Sequence, residues 1–304
     1  MKAIACERYG PPEVLVLSEV DKPKLKKSQL LIRIHAAAVT SGDCRIRAFK
    51  VPAQLWLMSR IVLGITRPRR KILGLWFSGV VEEVGDGVTK FRVGDQVWAR
   101  TKDLEFGAYA EYIAISEDVP FISKKPANAT FEDAAAIPFG ALTALYFLRK
   151  AGVAPNSRVL VYGASGSVGT AAVQIAKNLQ AHVTAVTSTS RVQRLRELGA
   201  DVVIDYTKEE YWRSTEKYDL IFDAVGKTSS RVAREVLRPG GAYVSVISSG
   251  HADAKPADLD LIRDMVESGS YDSAIDRCFT LEDMVAAQEY VETGHKFGNV
   301  VVRM

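Results

Sequence analysis

The chain reads as an α/β protein of two domains: a turn-rich β domain, then a doubly wound domain built on a parallel sheet. Three observations predict this. Its 304 residues exceed one ordinary core, on a prior of roughly 100–200 residues per domain. Up to about Ala114, short alternating runs and Gly-Asp turns prevail, the texture of strands and hairpins. From Arg158 onward, apolar runs alternate with helical segments, as a parallel sheet covered by helices requires.

In the first domain LLIRIHAAAV, from Leu30, alternates as a strand does. GVVEEVGDGV sets two Val-rich runs around a DG turn, and GDQVWA follows another Gly-Asp. Between them AQLWLMSRIVLGI, Ala53 to Ile65, is an apolar stretch with two readings, a core helix or a mobile lid over a substrate cleft. The basic run Arg67, Arg69, Arg70 and Lys71 reads as a solvated loop. In the second domain RVLVYG is a strand ending in glycine and SVGTAAVQIAKNLQ a helix. HVTAVTS is again a strand, and RVQRLRELGA a helix closed by Gly199. DVVIDY, YDLIFDAVG, the helix-like SSRVAREVLRPGG and AYVSVISS bring the strands to five. From about Tyr271 a short helix, LEDMVAAQEYVETG, precedes a last strand, NVVVRM, which returns to the first domain.

With 47% hydrophobic and 25% charged residues and a mean hydropathy of zero, the chain is globular rather than disordered or collagen-like. Forty basic against 36 acidic residues leave a formal +4, too small a surplus to imply nucleic acid. Cys6, Cys44 and Cys278 are scattered and odd in number, which predicts neither disulfides nor a closed zinc site, and a reducing, cytoplasmic setting. The start, MKAIACERYGPPEVLVL, lacks the apolar core of a signal peptide. The longest apolar run, Ala134 to Leu148, carries Pro138 and Gly140 and falls short of the ~20 residues of a spanning helix, so no membrane partner is expected. His35, His182, His251 and His295 form no ligand-spaced cluster, and no metal site is expected.

Gly163-Ala164-Ser165-Gly166-Ser167-Val168-Gly169 lies between a predicted strand and a predicted helix. A dinucleotide pyrophosphate needs such a turn, because it must approach the backbone closely at the positive end of a helix. The next strand ends in Thr187-Ser188-Thr189-Ser190-Arg191. An NAD site places a carboxylate there for the ribose hydroxyl, whereas a 2′-phosphate is repelled by one and favours hydroxyls and a guanidinium. NADPH is therefore the expected cofactor. The competing reading makes Ser190 the N-cap of the following helix and Arg191 its exposed first turn.

Taken together, AAAVTSGDCRIR, GVVEEVGDGVTKFRVGDQVWA, GAYAEY, AAAIPFGALTAL, LGADVVIDY, YDLIFDAVG and IDRCFTLEDMVAAQEYVETGHKFGNVVV resemble the zinc-independent branch of the medium-chain dehydrogenase/reductase superfamily, near the quinone oxidoreductases and enone reductases. The resemblance runs nearly end to end. It implies a GroES-like β domain (residues 1–120 and 271–304) and a Rossmann domain (residues 121–270), with the active site in the cleft between them. By position, Gly163, Ala164, Ser165, Gly166, Ser167, Val168 and Gly169 resemble the pyrophosphate turn. Ser188, Arg191 and Tyr206 resemble the 2′-phosphate pocket, and Thr143, Val225, Val246 and Asn299 resemble nicotinamide neighbours. Tyr206 also reads as an aromatic cap on its strand, and Val246 as core.

The zinc-dependent cousins place a Cys where Thr40 stands and a His-Glu pair where Leu75-Trp76 stands. Without such ligands, oxidation of a simple alcohol lacks its Lewis acid. A conjugated carbonyl or a quinone is already electrophilic at its β-carbon, so positioning against a nicotinamide suffices. Thr40, Arg47 or a ribose hydroxyl would then serve the developing enolate, with Asp43 orienting that group or simply making a turn. The resemblance thus implies a metal-independent NADPH reductase of enones, alkenals or quinones acting on a small molecule. A non-catalytic NADPH-binding protein and a zinc alcohol dehydrogenase are the competing readings. Two positions depart from the family, Thr40 for Asn and Trp76 for Asp. Only Gly250 to Lys255 separate AYVSVISS from the next helix, so the Rossmann sheet is expected to lack its sixth strand. Relatives pair through that strand, so a monomer or an unusual dimer is expected.

Overall fold

The structure is a computed structural model and describes every residue except Asp103 and His251; the reading of His251 lies outside the described residues. In chain order come β1 (Lys2–Cys6), β2 (Leu15–Glu19), β3 (Gln29–Ala38), α1 (Ser41–Arg47), α2 (Trp56–Leu63), β4 (Trp76–Val84), β5 (Gln96–Arg100), β6 (Tyr112–Ser116) and β7 (Ile122–Lys124). There follow α3 (Phe131–Lys150), β8 (Arg158–Tyr162), α4 (Ser167–Asn178), β9 (His182–Thr187), α5 (Val192–Glu197), β10 (Val202–Asp205) and β11 (Tyr218–Asp223). The chain closes with α6 (Ser230–Ala233), β12 (Leu237–Ser245), α7 (Pro256–Glu267), β13 (Ile275–Thr280), α8 (Met284–Glu292) and β14 (Asn299–Arg303). Two compact units result, Met1–Ala136 with Ile275–Met304, and Ile137–Ala274, the division falling within α3.

The first unit is a GroES-like β fold. A seven-stranded sheet runs β13-β14-β3-β4-β5-β7, with β6 also on β3, and β1 and β2 form a separate antiparallel pair. The final strand does return: β14 pairs antiparallel with β3 from Val301 opposite Ala38 to Arg303 opposite Ala36. Alternation along β3 sends Leu30, Ile32 and Ile34 into one cluster with Phe77, Val81 and Val97, which Met284, Ala287 and Val291 of α8 help to close. β13 pairs parallel to β14 although Arg277, Cys278 and Thr280 alternate weakly, which is why its sequence does not announce a strand.

The second unit is the Rossmann fold, a parallel sheet of five strands in the order β10-β9-β8-β11-β12. Leu160, Val186, Ile204 and Ile221 pack on one face against Tyr211, Tyr218 and Val236. β12 ends the sheet, and among the described residues no sixth strand follows it.

Three expectations are corrected. α2 is helical, but none of its eight residues is buried, so it is not a core helix. SSRVAREVLRPGG is helical only over Ser230–Ala233; the chain enters β12 at Leu237 and runs through Pro239, Gly240 and Gly241, with a register shift opposite β11 between Tyr218 and Leu220. α3 extends to 20 residues, long and apolar enough to cross a membrane, with 67% of its most apolar window buried in the protein and Pro138 inside it. Its first turn supplies Glu132 and Asp133 and its last Arg149 and Lys150, which lengthen the helix through the dipole.

Candidate functional site

β8 ends at Tyr162, and Gly163 turns the chain with φ +73°. A side chain there is excluded twice, by that backbone and by Val225, whose Cγ1 would lie 2.6 Å from a Cβ. A Cβ on Gly169 would run into the Gly163 carbonyl oxygen and the Ala164 backbone, so the start of α4 lies directly on the strand end. The Ala164 N–H donates to Val186 O (3.1 Å) and the Gly166 N–H to Gly163 O (3.2 Å). The Thr170 N–H makes the first helical bond, to Gly166 O (2.8 Å). The N–H groups of Ser167, Val168 and Gly169 precede that bond, and Gly166, the N-cap, has no side chain to occupy them. The uncapped end of a 12-residue helix therefore presents donors and positive potential to an anion.

Two hydroxyls sharpen the fit to a polar ligand. Ser167 Oγ and Thr187 Oγ1 are buried without a hydrogen-bond partner, which is costly unless something else supplies one. Gly140 lets α3 lie against Ser167, whose Oγ would be 2.8 Å from a Cβ there. Thr143, three residues further along that face, returns its hydroxyl to Phe139 O (2.8 Å).

Beside this turn, Ser188 leaves β9 extended and Thr189–Arg191 form one 3-10 turn, with the Arg191 N–H on Ser188 O (3.0 Å). α5 begins after Arg191 with no side-chain cap, so Ser190 is not its N-cap. The Tyr206 N–H donates to Thr187 O (2.9 Å), which sets this 55%-exposed ring next to the same turn.

Two carboxylates that sequence reading did not assign organise the surroundings. Asp205, at the end of β10, accepts from Thr189 Oγ1 (2.5 Å), Thr207 Oγ1 (2.7 Å) and the Thr207 N–H (3.0 Å). Those hydroxyl bonds, with a smaller contribution from Lys208, lower its pKa to about 2. Its oxygens are committed to the loop, which ties β10 to the turn after β9. Asp223, fully buried at the end of β11, accepts from the N–H groups of Val225 (3.0 Å), Gly226 (2.8 Å) and Thr228 (3.2 Å) and from Tyr243 Oη (3.1 Å). Its own carbonyl accepts the Val246 N–H (3.1 Å). One aspartate thus seats both Val225 and Val246. An Asp followed within three residues by Gly is the detectable signal of such a turn.

In the first unit Thr40 is the N-cap of α1 and Asp43 completes a capping box: Thr40 N–H and Oγ1 donate to Asp43 Oδ2 (2.9 and 2.6 Å), and the Asp43 N–H donates to Thr40 Oγ1 (3.2 Å). Burial raises the Asp43 pKa, and Oδ1 has no partner, the nearby Tyr109 hydroxyl donating to Ala38 O (3.2 Å). Arg47 is wholly buried. Its three nitrogens donate to Gln288 Oε1 (2.6 Å), Gly10 O (2.6 Å) and Glu292 Oε1 (2.7 Å), which fastens α1 to α8. Asn299 opens β14 and is buried.

Among the described residues no three His, Cys, Asp or Glu side chains are grouped to hold a metal ion. Burial pushes the Cys6 thiol up to about 11 and the Cys44 thiol up to about 12, the reverse of what a thiolate ligand needs. His35 stacks on Phe131 at 4.2 Å between ring centroids, and burial lowers its pKa.

Family models match at residues 26–126 (alcohol dehydrogenase GroES-like domain) and at residues 167–271 and 248–302 (both described as zinc-binding dehydrogenase). The chain is 33% identical to the 2-methylene-furan-3-one reductase of Solanum lycopersicum, covering 99% of this chain and 79% of that protein. It is 32% identical, with the same coverage, to the chloroplastic NADPH-dependent alkenal/one oxidoreductase of Arabidopsis thaliana. The quinone oxidoreductase of Coxiella burnetii superposes with a TM-score of 0.88 at 28% identity, over 100% of this chain and 99% of that one. End-to-end likeness of this kind, on a glycine turn and uncapped helix suited to a dinucleotide, places the chain in the medium-chain dehydrogenase/reductase family, in its quinone oxidoreductase branch, as an NAD(P)H-dependent oxidoreductase.

Proposed function

We propose that the chain uses NADPH to reduce conjugated carbonyl compounds or quinones, and that it does so without a metal ion, in the cytoplasm. The observation that carries the cofactor choice is the end of β9. Ser188 and Arg191 lie there on one tight turn with Tyr206 beside them. Asp205, at the end of the neighbouring strand, has its oxygens engaged by Thr189 and Thr207. A 2′-phosphate would meet hydroxyls and a guanidinium there, and the strand end from Thr187 to Arg191 carries no acid for a ribose hydroxyl.

The first turn of α4, with Gly163 and Gly169 keeping side chains away, would hold the pyrophosphate, and Ser167 Oγ would find its missing partner there. Thr143, Val225 and Val246 would border the nicotinamide. When bound, that ring supplies a hydride for the electrophilic β-carbon of the acceptor. The protein's share is to position the acceptor against that ring, and the enolate that hydride addition leaves takes its proton from solvent. Thr40 and Arg47 have their protons engaged, in the capping box and on α8, so we assign them and Asp43 to holding α1 in place rather than to giving up a proton. The names of the Solanum and Arabidopsis relatives favour enones and alkenals as acceptors.

Titration of the two cofactors by fluorescence tests this reading. NADPH is expected to bind more tightly than NADH, and Arg191→Ala should weaken NADPH alone by about 1.5–3 kcal/mol, the worth of a charge-assisted bond. Equal affinities in the unmodified protein would rule the reading out.

A further inference from the structure

The apolar helix α2 carries an inference of its own. Trp56, Leu57, Met58, Ile61, Val62 and Ile65 stand in solvent, Leu57 at 67% and Ile65 at 70% exposure. A helix apolar on most sides is ordinarily buried, and a continuous exposed apolar patch marks an interaction surface. Its inner side is fastened: the Arg60 guanidinium lies 3.7 Å from the Phe49 ring centroid and donates to Ile65 O (2.6 Å), so the outer side is presented rather than frayed.

Charge selects the partner. From Cys44 through Val81 the sequence has no acidic residue and eight basic ones, Arg45, Arg47, Lys50, Arg60, Arg67, Arg69, Arg70 and Lys71. Arg47 and Lys50 lie on Glu292 and Lys71 on Glu7, which leaves Arg45, Arg60, Arg67, Arg69 and Arg70 in that segment. Arg67, Arg69 and Arg70 are exposed and have no carboxylate at ion-pair distance among the described residues. A second copy docked face to face would set these arginines against their own counterparts. A bilayer with anionic headgroups takes the apolar residues and the arginines together. We propose that α2 and the loop after it dock this protein on an anionic lipid surface, with Trp56, Leu57, Met58 and Ile61 entering the headgroup boundary and Arg67, Arg69 and Arg70 meeting phosphates. A helix lying in the interface needs no spanning segment, and such a surface is where apolar acceptors partition.

Co-sedimentation of the full chain with vesicles tests this. Vesicles of phosphatidylcholine and phosphatidylglycerol in equal parts should carry the protein down at low salt, and pure phosphatidylcholine should not. Leu57→Glu with Ile61→Glu, and separately Arg69→Glu with Arg70→Glu, should each lower the bound fraction roughly tenfold or more, with thermal melting and NADPH affinity unchanged. No sedimentation with the anionic vesicles overturns the proposal, as does equal binding to neutral ones. It also fails if Leu57→Glu abolishes a dimer seen by light scattering, or raises the KM for an enone, while vesicle binding is untouched; those results mean a second copy or a lid.

Discussion

In the second unit the candidate site is made of backbone: glycines that let α4 lie on β8, first-turn N–H groups with no cap, and Asp205 and Asp223 spent on the loops around them. In the first unit the polar cluster is made of side chains bonded mainly to one another, Asp43 Oδ1 and Gln288 Nε2 being left without a partner, with Arg47 reaching Gln288 and Glu292 from 241 and 245 residues away in sequence. Backbone donors left uncapped at a helix end mark a place for an anion, and side chains bonded from one helix to another mark a place that holds a fold together. The contrast separates binding from support without reference to which residue types are present.

Gly169→Val attacks the backbone-built site where it has least room. Saturable NADPH binding should be lost, and the second unit should lose stability by about 1–3 kcal/mol from the forced repacking; an affinity within a few-fold of the original, by fluorescence titration, would undo the contrast. Arg47→Met attacks the closed network. Chemical denaturation should show a loss of about 3 kcal/mol, the low end for breaking a buried pair because Glu292 keeps some solvent contact. NADPH affinity of the still-folded protein should not move. A selective loss of cofactor binding would mean that the first unit does more than hold α1.

The smallest effect sharpens the electrostatic side. Burial lowers the Lys296 pKa from 10.5 to about 8. Between those values the unfolded chain holds a proton that the folded chain has released, so this lysine's contribution to stability rises with pH across that window. Lys296→Met should flatten the slope measured by denaturation from pH 8 to pH 10.5. A slope unchanged by the substitution would assign it to another group.

Legibility in the sequence followed the same division. Gly163, Gly166 and Gly169 declare a turn because the geometry that needs them is local, as does the alternation of strands and helices that framed the five-stranded sheet. Thr40 and Asp43 showed the spacing of a capping box, yet a capping box and a catalytic pair look alike until the backbone N–H of each is seen donating to the side chain of the other. Arg47 gave no sign of its partners, because α8 is brought to α1 by the folded β domain and by nothing in either segment. α2 misled for a related reason. Apolar composition forecasts burial only when something lies opposite, and within its own unit nothing covers the outer side of Leu57 or Ile61. Asp205 escaped notice because the reading of the β9 end stopped at its own strand, whereas in a parallel sheet the neighbouring strand delivers its last side chain to the same level.

The most direct test follows NADPH with the dialysed protein in the presence of a chelator, as its consumption by an enone, an alkenal or a quinone and as its formation from NADP and a simple alcohol, in separate reactions. Turnover is expected with at least one conjugated acceptor, undiminished by the chelator, and none with the alcohol. Activity confined to the alcohol, or lost on chelation and restored by zinc, would contradict it.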